Sequence, residues 1–257
     1  MDWMKNKVII VTGGASGIGK AIVKESLTKG AIVVIADLNE DKGNAVVKNF
    51  SKEFTEIHFV KTDVTDVTSI ENLVDKAKSL GPIHYLVNSA GVQTYGTVVS
   101  TSQKTWDFTM DVNLKSMYTL SKYVIPEMKK NPSNSGAIVN ISSVQGIRSQ
   151  KNVAAYATSK AAVIALTRTM GLDYASERIQ VNCICPGSID TPMLRFGAEA
   201  YGDPDEVIKE WGENHPIGRI GKPSEIAKVA MFLLSPDASF IVGQAIIADG
   251  GLGSEIL

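Results

Sequence analysis

Seven short apolar runs punctuate the chain, at residues 8–11, 32–36, 57–61, 83–88, 137–142, 179–184 and 245–249. Each is apolar almost throughout rather than alternating, the pattern of strands buried on both faces. Between them apolar positions recur at helical spacing. Ile70, Leu73, Val74, Ala77 and Leu80 make one such stripe, with Asp66 or Thr68 as the cap before it. Residues 20–29 and 152–170 also read as helices. Strands alternating with helices predict an α/β fold with a parallel sheet covered on both faces. Right-handed crossovers make a doubly wound sheet the natural topology. The pattern breaks over residues 191–223, where Pro192, Gly197, Gly202, Pro204, Gly212, Pro216 and Gly218 fall close together. That stretch reads as an irregular excursion of the lid or binding-loop kind. The turn-rich stretch at residues 131–136 is too short to separate domains, so residues 1–257 read as a single domain.

Composition narrows the function classes. Of 257 residues, 44% are hydrophobic and 21% charged, which is ordinary globular usage. The 26 basic and 27 acidic side chains leave a net charge of −1, and no run of five basic residues occurs. Neither nucleic acid nor an anionic membrane surface is an expected partner. Two cysteines exclude a disulfide scaffold. Residues 1–5 lack an apolar signal core, and no apolar run is long enough to cross a bilayer, so a cytoplasmic protein is expected.

The first strand runs into Thr12-Gly13-Gly14-Ala15-Ser16-Gly17-Ile18-Gly19 and then into a helix. Glycines there permit a tight turn and let backbone N–H groups approach a phosphate, with the helix N-terminus facing the pyrophosphate charge. The spacing Gly13-x-x-x-Gly17-x-Gly19 departs from G-x-G-x-x-G, but its place between strand and helix is the required one. Asp37 closes the second strand, 18 residues after Gly19. An acid there either caps the next helix or accepts hydrogen bonds from both ribose hydroxyls of an adenosine and repels a 2′-phosphate. Of Ala15, Ser16 and Leu38, the positions suited to hold such a phosphate, none is basic.

Tyr156 and Lys160 are four apart on a helix and share a face. Ser143 lies just past a strand's carboxyl end, where parallel sheets bind ligands. The three can converge on one substrate oxygen and move a proton in step with hydride transfer. A free tyrosine titrates near about 10. An ammonium about 4 Å away, at an effective dielectric of 20, supplies roughly 4 kcal/mol, enough to lower a phenol by about three units. Lys160 is thus expected to tune Tyr156 without a metal.

These motifs, with Asp63-Val64, Asn88-Ser89-Ala90-Gly91, Asn113, Pro186-Gly187 and Asp249-Gly250-Gly251, resemble the classical short-chain dehydrogenase/reductase family from Lys7 to about Gly251. The resemblance implies a Rossmann fold with a seven-stranded parallel sheet of order 3-2-1-4-5-6-7, helices on both faces and an NAD-type cofactor. It implies Tyr156 as acid/base and Ser143, 13 residues before it, as the substrate-polarising hydroxyl. Lys160 would hold the nicotinamide ribose, and Asn113 would anchor a proton-relay water. Gly13, Ser16, Gly17, Ile18 and Gly19 would bind the pyrophosphate, and Asp63 and Val64 would flank adenine. Asn88, Ala90 and Gly91 would support the cofactor's middle. Pro186 and Gly187 close the sixth strand, and Ile189 and Thr191 would touch the nicotinamide amide. Ser89 stands where the family commonly has a second Asn.

Gln93, Gln145, Arg148 and Arg195, with Ser143 and Tyr156, make the expected substrate mouth polar. Trp211 is a residue that could close over substrate, whereas Trp3 and Trp106 read as packing residues. Cys183 and Cys185 share a strand face, but His58, His84 and His215 form no ligand-spaced cluster with them, so no metal is expected. The reading is an NAD-dependent oxidoreductase acting on CH–OH groups of a small sugar, polyol or hydroxy acid. The alternatives are a 3-oxoacyl-carrier-protein reductase and, in another class, a non-catalytic NAD-binding regulator. A homotetramer is expected from apolar surplus at residues 106–129 and 152–170 and from the terminal Ile256-Leu257.

Overall fold

The computed structural model describes residues 3–131 and 135–254. Seven strands form one sheet: β1 (Val8–Thr12), β2 (Ile32–Asp37), β3 (Ile57–Lys61), β4 (Ile83–Asn88), β5 (Gly136–Ile141), β6 (Ile179–Pro186) and β7 (Ala245–Ala248). Every pairing is parallel and the order is 3-2-1-4-5-6-7. Alternate residues of each inner strand feed opposite cores. Ile9 and Val11 of β1 join Val33 and Ile35 of β2 on one face. Val8, Ile10, Val34 and Ala36 join the other. The edge strands β3 and β7 are only partly buried, as edges are.

Helices α1 (Gly17–Thr28), α2 (Glu40–Phe50), α3 (Val67–Leu80), α4 (Gln103–Met110), α5 (Ser116–Met128) and α6 (Ala154–Tyr174) alternate with the strands. The α3 stripe packs with Leu120, Val124, Ile125 and Met128 of α5 against one sheet face. Asp66, not Thr68, caps α3, accepting from the N–H groups of Thr68 and Ser69. Asn39, not Asp37, caps α2, accepting from the Lys42 N–H.

The excursion at 191–223 is not irregular. It carries α7 (Pro192–Ala198) and α8 (Pro204–Glu213) ahead of α9 (Pro223–Leu234). Thr191 and Asp203 cap these two helices, each followed by proline at the first helical position, where its missing N–H costs nothing. Among the described residues, no helix is long and apolar enough to cross a membrane. Ile256 and Leu257 lie outside the described residues, as do 132–134 of the turn-rich stretch.

Candidate functional site

The carboxyl ends of β1, β2, β4, β5 and β6 open onto a cleft of about 420 Å³. Gly13, Ser16, Gly17, Ile18 and Gly19 line it at one side, with Asp37, Asp63 and Val64 beyond them. Ala90, Gly91 and Gln93 line its middle, and Ser143, Tyr156, Lys160, Pro186, Gly187, Ile189 and Thr191 its other end.

The glycine loop is packed too closely for side chains. A Cβ on Gly13 would stand 2.9 Å from the Ala90 backbone, and one on Gly19 would stand 2.2 Å from the Gly13 carbonyl oxygen. The Thr12 hydroxyl accepts from the Ser89 and Ala90 N–H groups at 3.0 and 3.1 Å, tying the β1 and β4 loops together. Ser16, at the N-cap of α1, offers its helix no side-chain acceptor, so the first-turn donors of α1 are left to the cleft. Asp37 is pinned: its carboxylate accepts from Ala15 N–H at 3.1 Å and Asn39 N–H at 3.0 Å.

At the other end Tyr156 and Lys160 are both buried, 8% and 5% exposed. The Lys160 ammonium donates to the Ile141 carbonyl at 2.9 Å and sits 5.7 Å from the Tyr156 ring centroid. The Ser142 hydroxyl donates to the Lys160 carbonyl at 2.7 Å, which locks α6 to the end of β5. Burial pushes the Tyr156 phenol up to about 12, while a hydrogen bond with the Ser143 side chain pulls the other way. Burial brings Lys160 down to about 8. The sequence argument expects the Lys160 ammonium to lower the Tyr156 phenol; with no cofactor beside them, burial instead raises it.

Five residues picked from the sequence do not line the cleft. Asn88 lies behind it, 1% exposed, donating to Asn140 Oδ1 at 2.8 Å. Asn113 is fully buried within a π-turn (Asp111–Lys115). Its amide donates to Val92 O and Ser159 Oγ at 2.9 and 3.0 Å and accepts from Val92 N–H at 2.8 Å. Its side chain thus braces the Gly91 loop from behind. The Gln145 Oε1 is buried away from the cleft, and Arg148 is exposed. Arg195 is engaged elsewhere, with Asp190 at 2.7 and 3.1 Å and with Asp205 at 2.9 Å. Two carboxylates occupy its guanidinium because α7 and α8 bring them together, a contact that spacing along the chain does not reveal. Trp211 packs edge-on against Tyr201, with ring centroids 5.9 Å apart, and also stays out of the cleft.

The family model described as Enoyl-(Acyl carrier protein) reductase matches residues 13–253. The chain is 37% identical to "Dehydrogenase/reductase SDR family member 6" of Aquarana catesbeiana over 252 residues, covering 98% of this chain and 99% of that one. The chain belongs to the short-chain dehydrogenase/reductase family. Solved structures of the family superpose closely. Ligand-free aldohexose dehydrogenase of Thermoplasma acidophilum, 39% identical, has a TM-score of 0.89 and covers 98% of this chain and 96% of its own. A variant of actinorhodin polyketide ketoreductase with NADPH, 31% identical, has a TM-score of 0.92 and covers 97% and 98%.

As a member of the short-chain dehydrogenase/reductase family, this chain is a dehydrogenase/reductase, and its family binds a nicotinamide cofactor. The residues present fit such a dinucleotide. The crowded, side-chain-free glycine loop and the uncapped first turn of α1 suit a pyrophosphate, which needs close backbone approach and free donors. Among the described residues no group of three or more His, Cys, Asp or Glu is placed to hold a metal ion.

Sequence reasoning missed several contributors. Thr12 and Ser159 support the site from behind, as their bonds to the Ala90 loop and Asn113 show. Phe108, Val112, Met193 and Leu194 add apolar wall to the cleft. Asp249 accepts from the N–H groups of Gly251 and Gly253 at 3.0 and 2.6 Å. That bonding fixes a turn whose backbone lies against Gly187. The strand-end acid in Asp249-Gly250-Gly251 was a signal for this turn.

Proposed function

We propose that the protein is a single-domain NAD-dependent dehydrogenase interconverting a secondary alcohol and a ketone, or a sugar and its lactone, on a small polar substrate. The observation that carries this reading is one cleft with Asp37 at its adenosine side and Ser143 and Tyr156 at the other. The polar Gln93 in the cleft supports a substrate bearing more than one oxygen, as does the aldohexose named for the Thermoplasma relative.

A bound nicotinamide ring supplies or accepts the hydride. The residues of the chain do the rest. Ser143 donates a hydrogen bond to the substrate oxygen and holds it beside Tyr156. In the reductive direction the Tyr156 hydroxyl hands its proton to that oxygen, and in the oxidative direction the phenolate takes it. Lys160, anchored by Ile141, holds the cofactor ribose and keeps positive charge near the phenolate. Asp37 accepts from the ribose hydroxyls of the adenosine half. The test is a panel of sugars, polyols and hydroxy acids, followed by absorbance of reduced cofactor. Turnover by NADPH-dependent reduction of acyl thioesters alone would favour the acyl-carrier-protein reductase reading. Cofactor binding without any turnover would favour a regulator.

Ser143→Ala removes one donor aimed at the oxygen where charge develops. It should raise the barrier by about 2.7–4 kcal/mol, read as a fall in kcat with the Kd for NAD unchanged.

The protein is also proposed to act as a cytoplasmic homotetramer. Tyr118 of α5 and Leu172 of α6 stay exposed, as do Phe240 and Ile247 at the β7 edge. Two separate apolar faces are what two pairwise interfaces of a closed tetramer require. Light scattering at micromolar concentration should give four times the chain mass, and a monomer would refute this.

A further inference from the structure

His215 follows α8, is 3% exposed, and takes no part in the chemistry above. Its backbone is fixed in a tight turn. The His215 N–H donates to Gly212 O at 3.0 Å, and the Gly218 N–H donates to His215 O at 2.7 Å. Both ring nitrogens are engaged. Nδ1 meets Trp211 O, near the end of α8, at 2.8 Å. Nε2 meets the Ser188 N–H at 3.3 Å. A carbonyl oxygen only accepts and a peptide N–H only donates, so Nδ1 carries the proton and Nε2 is bare. These two partners therefore select a neutral imidazole in a single tautomer.

Ser188 sits between Gly187 and Ile189, which line the cleft at the end that holds Tyr156 and Lys160. This strip lies just past the end of β6 and is held from behind. The Gly187 N–H donates to Ala248 O at 3.2 Å, and the Gly221 N–H donates to Ser188 O at 2.8 Å. The His215 ring supplies the bond on the N–H side of the Ser188 peptide, and so joins α8 to the wall of the cleft. α8 is itself tied to α7 through Asp205 and Arg195. We propose that His215 is a positioning residue: its bare Nε2 fixes the Ser188 peptide, and with it the wall against which the hydride-carrying ring of the cofactor rests. The proposal rests on the cofactor reading given above, in which this wall lies at the nicotinamide end.

Two substitutions separate the two bonds of the ring. Gln carries an amide oxygen at the place of Nε2 and can accept from Ser188. Asn carries an amide nitrogen at the place of Nδ1 and can serve only Trp211. In the ligand-free protein, hydrogen exchange at the Ser188 N–H should quicken about tenfold in His215→Ala and His215→Asn and stay within about threefold of wild type in His215→Gln. Activity is measured with NAD on the two alcohols of the panel that the wild type oxidises fastest. In His215→Ala and His215→Asn kcat should fall about tenfold on both alike, and in His215→Gln by less than about threefold, since a misplaced reacting ring costs rate. The KM for either alcohol should move by less than about twofold, and the Kd for NAD by less than about threefold, because Asp37 and the glycine loop still hold the other half. Should His215→Ala not fold, the Gln and Asn pair carries the comparison. Rescue by Asn and not by Gln, an unchanged kcat where Ser188 exchange has quickened, or a rise in substrate KM in place of the fall in kcat would overturn the proposal while leaving wild-type turnover intact. A wild type that oxidises no member of the panel overturns both this role and the reading beneath it.

Discussion

Tyr156→Phe should abolish nearly all turnover while leaving NAD binding close to wild type. The ring stays to pack in its buried niche, and only the proton-transferring hydroxyl is lost. Proton transfer by a positioned side chain contributes typically about a hundredfold to ten-thousandfold, so kcat should fall by at least a hundredfold. Retention of more than about a tenth of kcat would remove Tyr156 from the reaction. The pH dependence has a definite sign. Burial holds the phenol up to about 12, so across neutral pH it is protonated and ready to act as an acid. Alcohol oxidation needs the phenolate, whose population grows with pH. The oxidation rate should therefore climb from pH 6 toward pH 9, and ketone reduction should not. Lys160, down to about 8, loses its charge over the upper part of this range, which should flatten the climb. A pH-independent oxidation rate would show that some other group takes the proton.

The second large effect is cofactor choice. Asp37 is already oriented by the Ala15 and Asn39 N–H groups, so its remaining lone pairs face the cleft without rearrangement. Two charge-assisted bonds to ribose hydroxyls contribute about 1.5–3 kcal/mol each. A 2′-phosphate removes one of them and sets like charges close together, a repulsion of roughly 4 kcal/mol at about 4 Å and an effective dielectric of 20. NAD should be favoured over NADP by at least about a hundredfold in kcat/KM, each 1.4 kcal/mol being tenfold. Asp37→Ser should weaken NAD and improve NADP, and Leu38→Arg added to it should improve NADP further. Lys20 and Lys42 line a hollow beside Ala15, Ser16 and Gly17. If the unmodified protein used both cofactors equally, these lysines, not Asp37, would be deciding the choice.

The sheet was legible because strands covered on both faces are mostly apolar: β1 is buried throughout and apolar up to Thr12, and β2 is apolar up to Asp37. The glycine loop, Asp37, Ser143, Tyr156 and Lys160 were legible because the chemistry needs those residue types at set places along strand ends and one helix face. What failed depends on side-chain partners. Arg195 looked like a substrate contact until α7 and α8 set Asp190 and Asp205 around it. The bonds of the Asn113 amide to Val92 and Ser159 could likewise not be read from the chain, because they join residues 21 and 46 positions away. The phenol's shift could not be read either, because it turns on how deeply the folded chain buries it. The helices within 191–223 were missed although their signal was present: Thr191-Pro192 and Asp203-Pro204 are each a cap followed by proline.

The most direct test of the whole account is the initial rate of reduced-cofactor formation on the panel of sugars, polyols and hydroxy acids, run with NAD and with NADP at equal concentration. The account predicts absorbance rising with NAD for at least one multi-oxygen alcohol and a rate at least about a hundredfold lower with NADP. No rise with any member of the panel, or equal rates with the two cofactors, would contradict it.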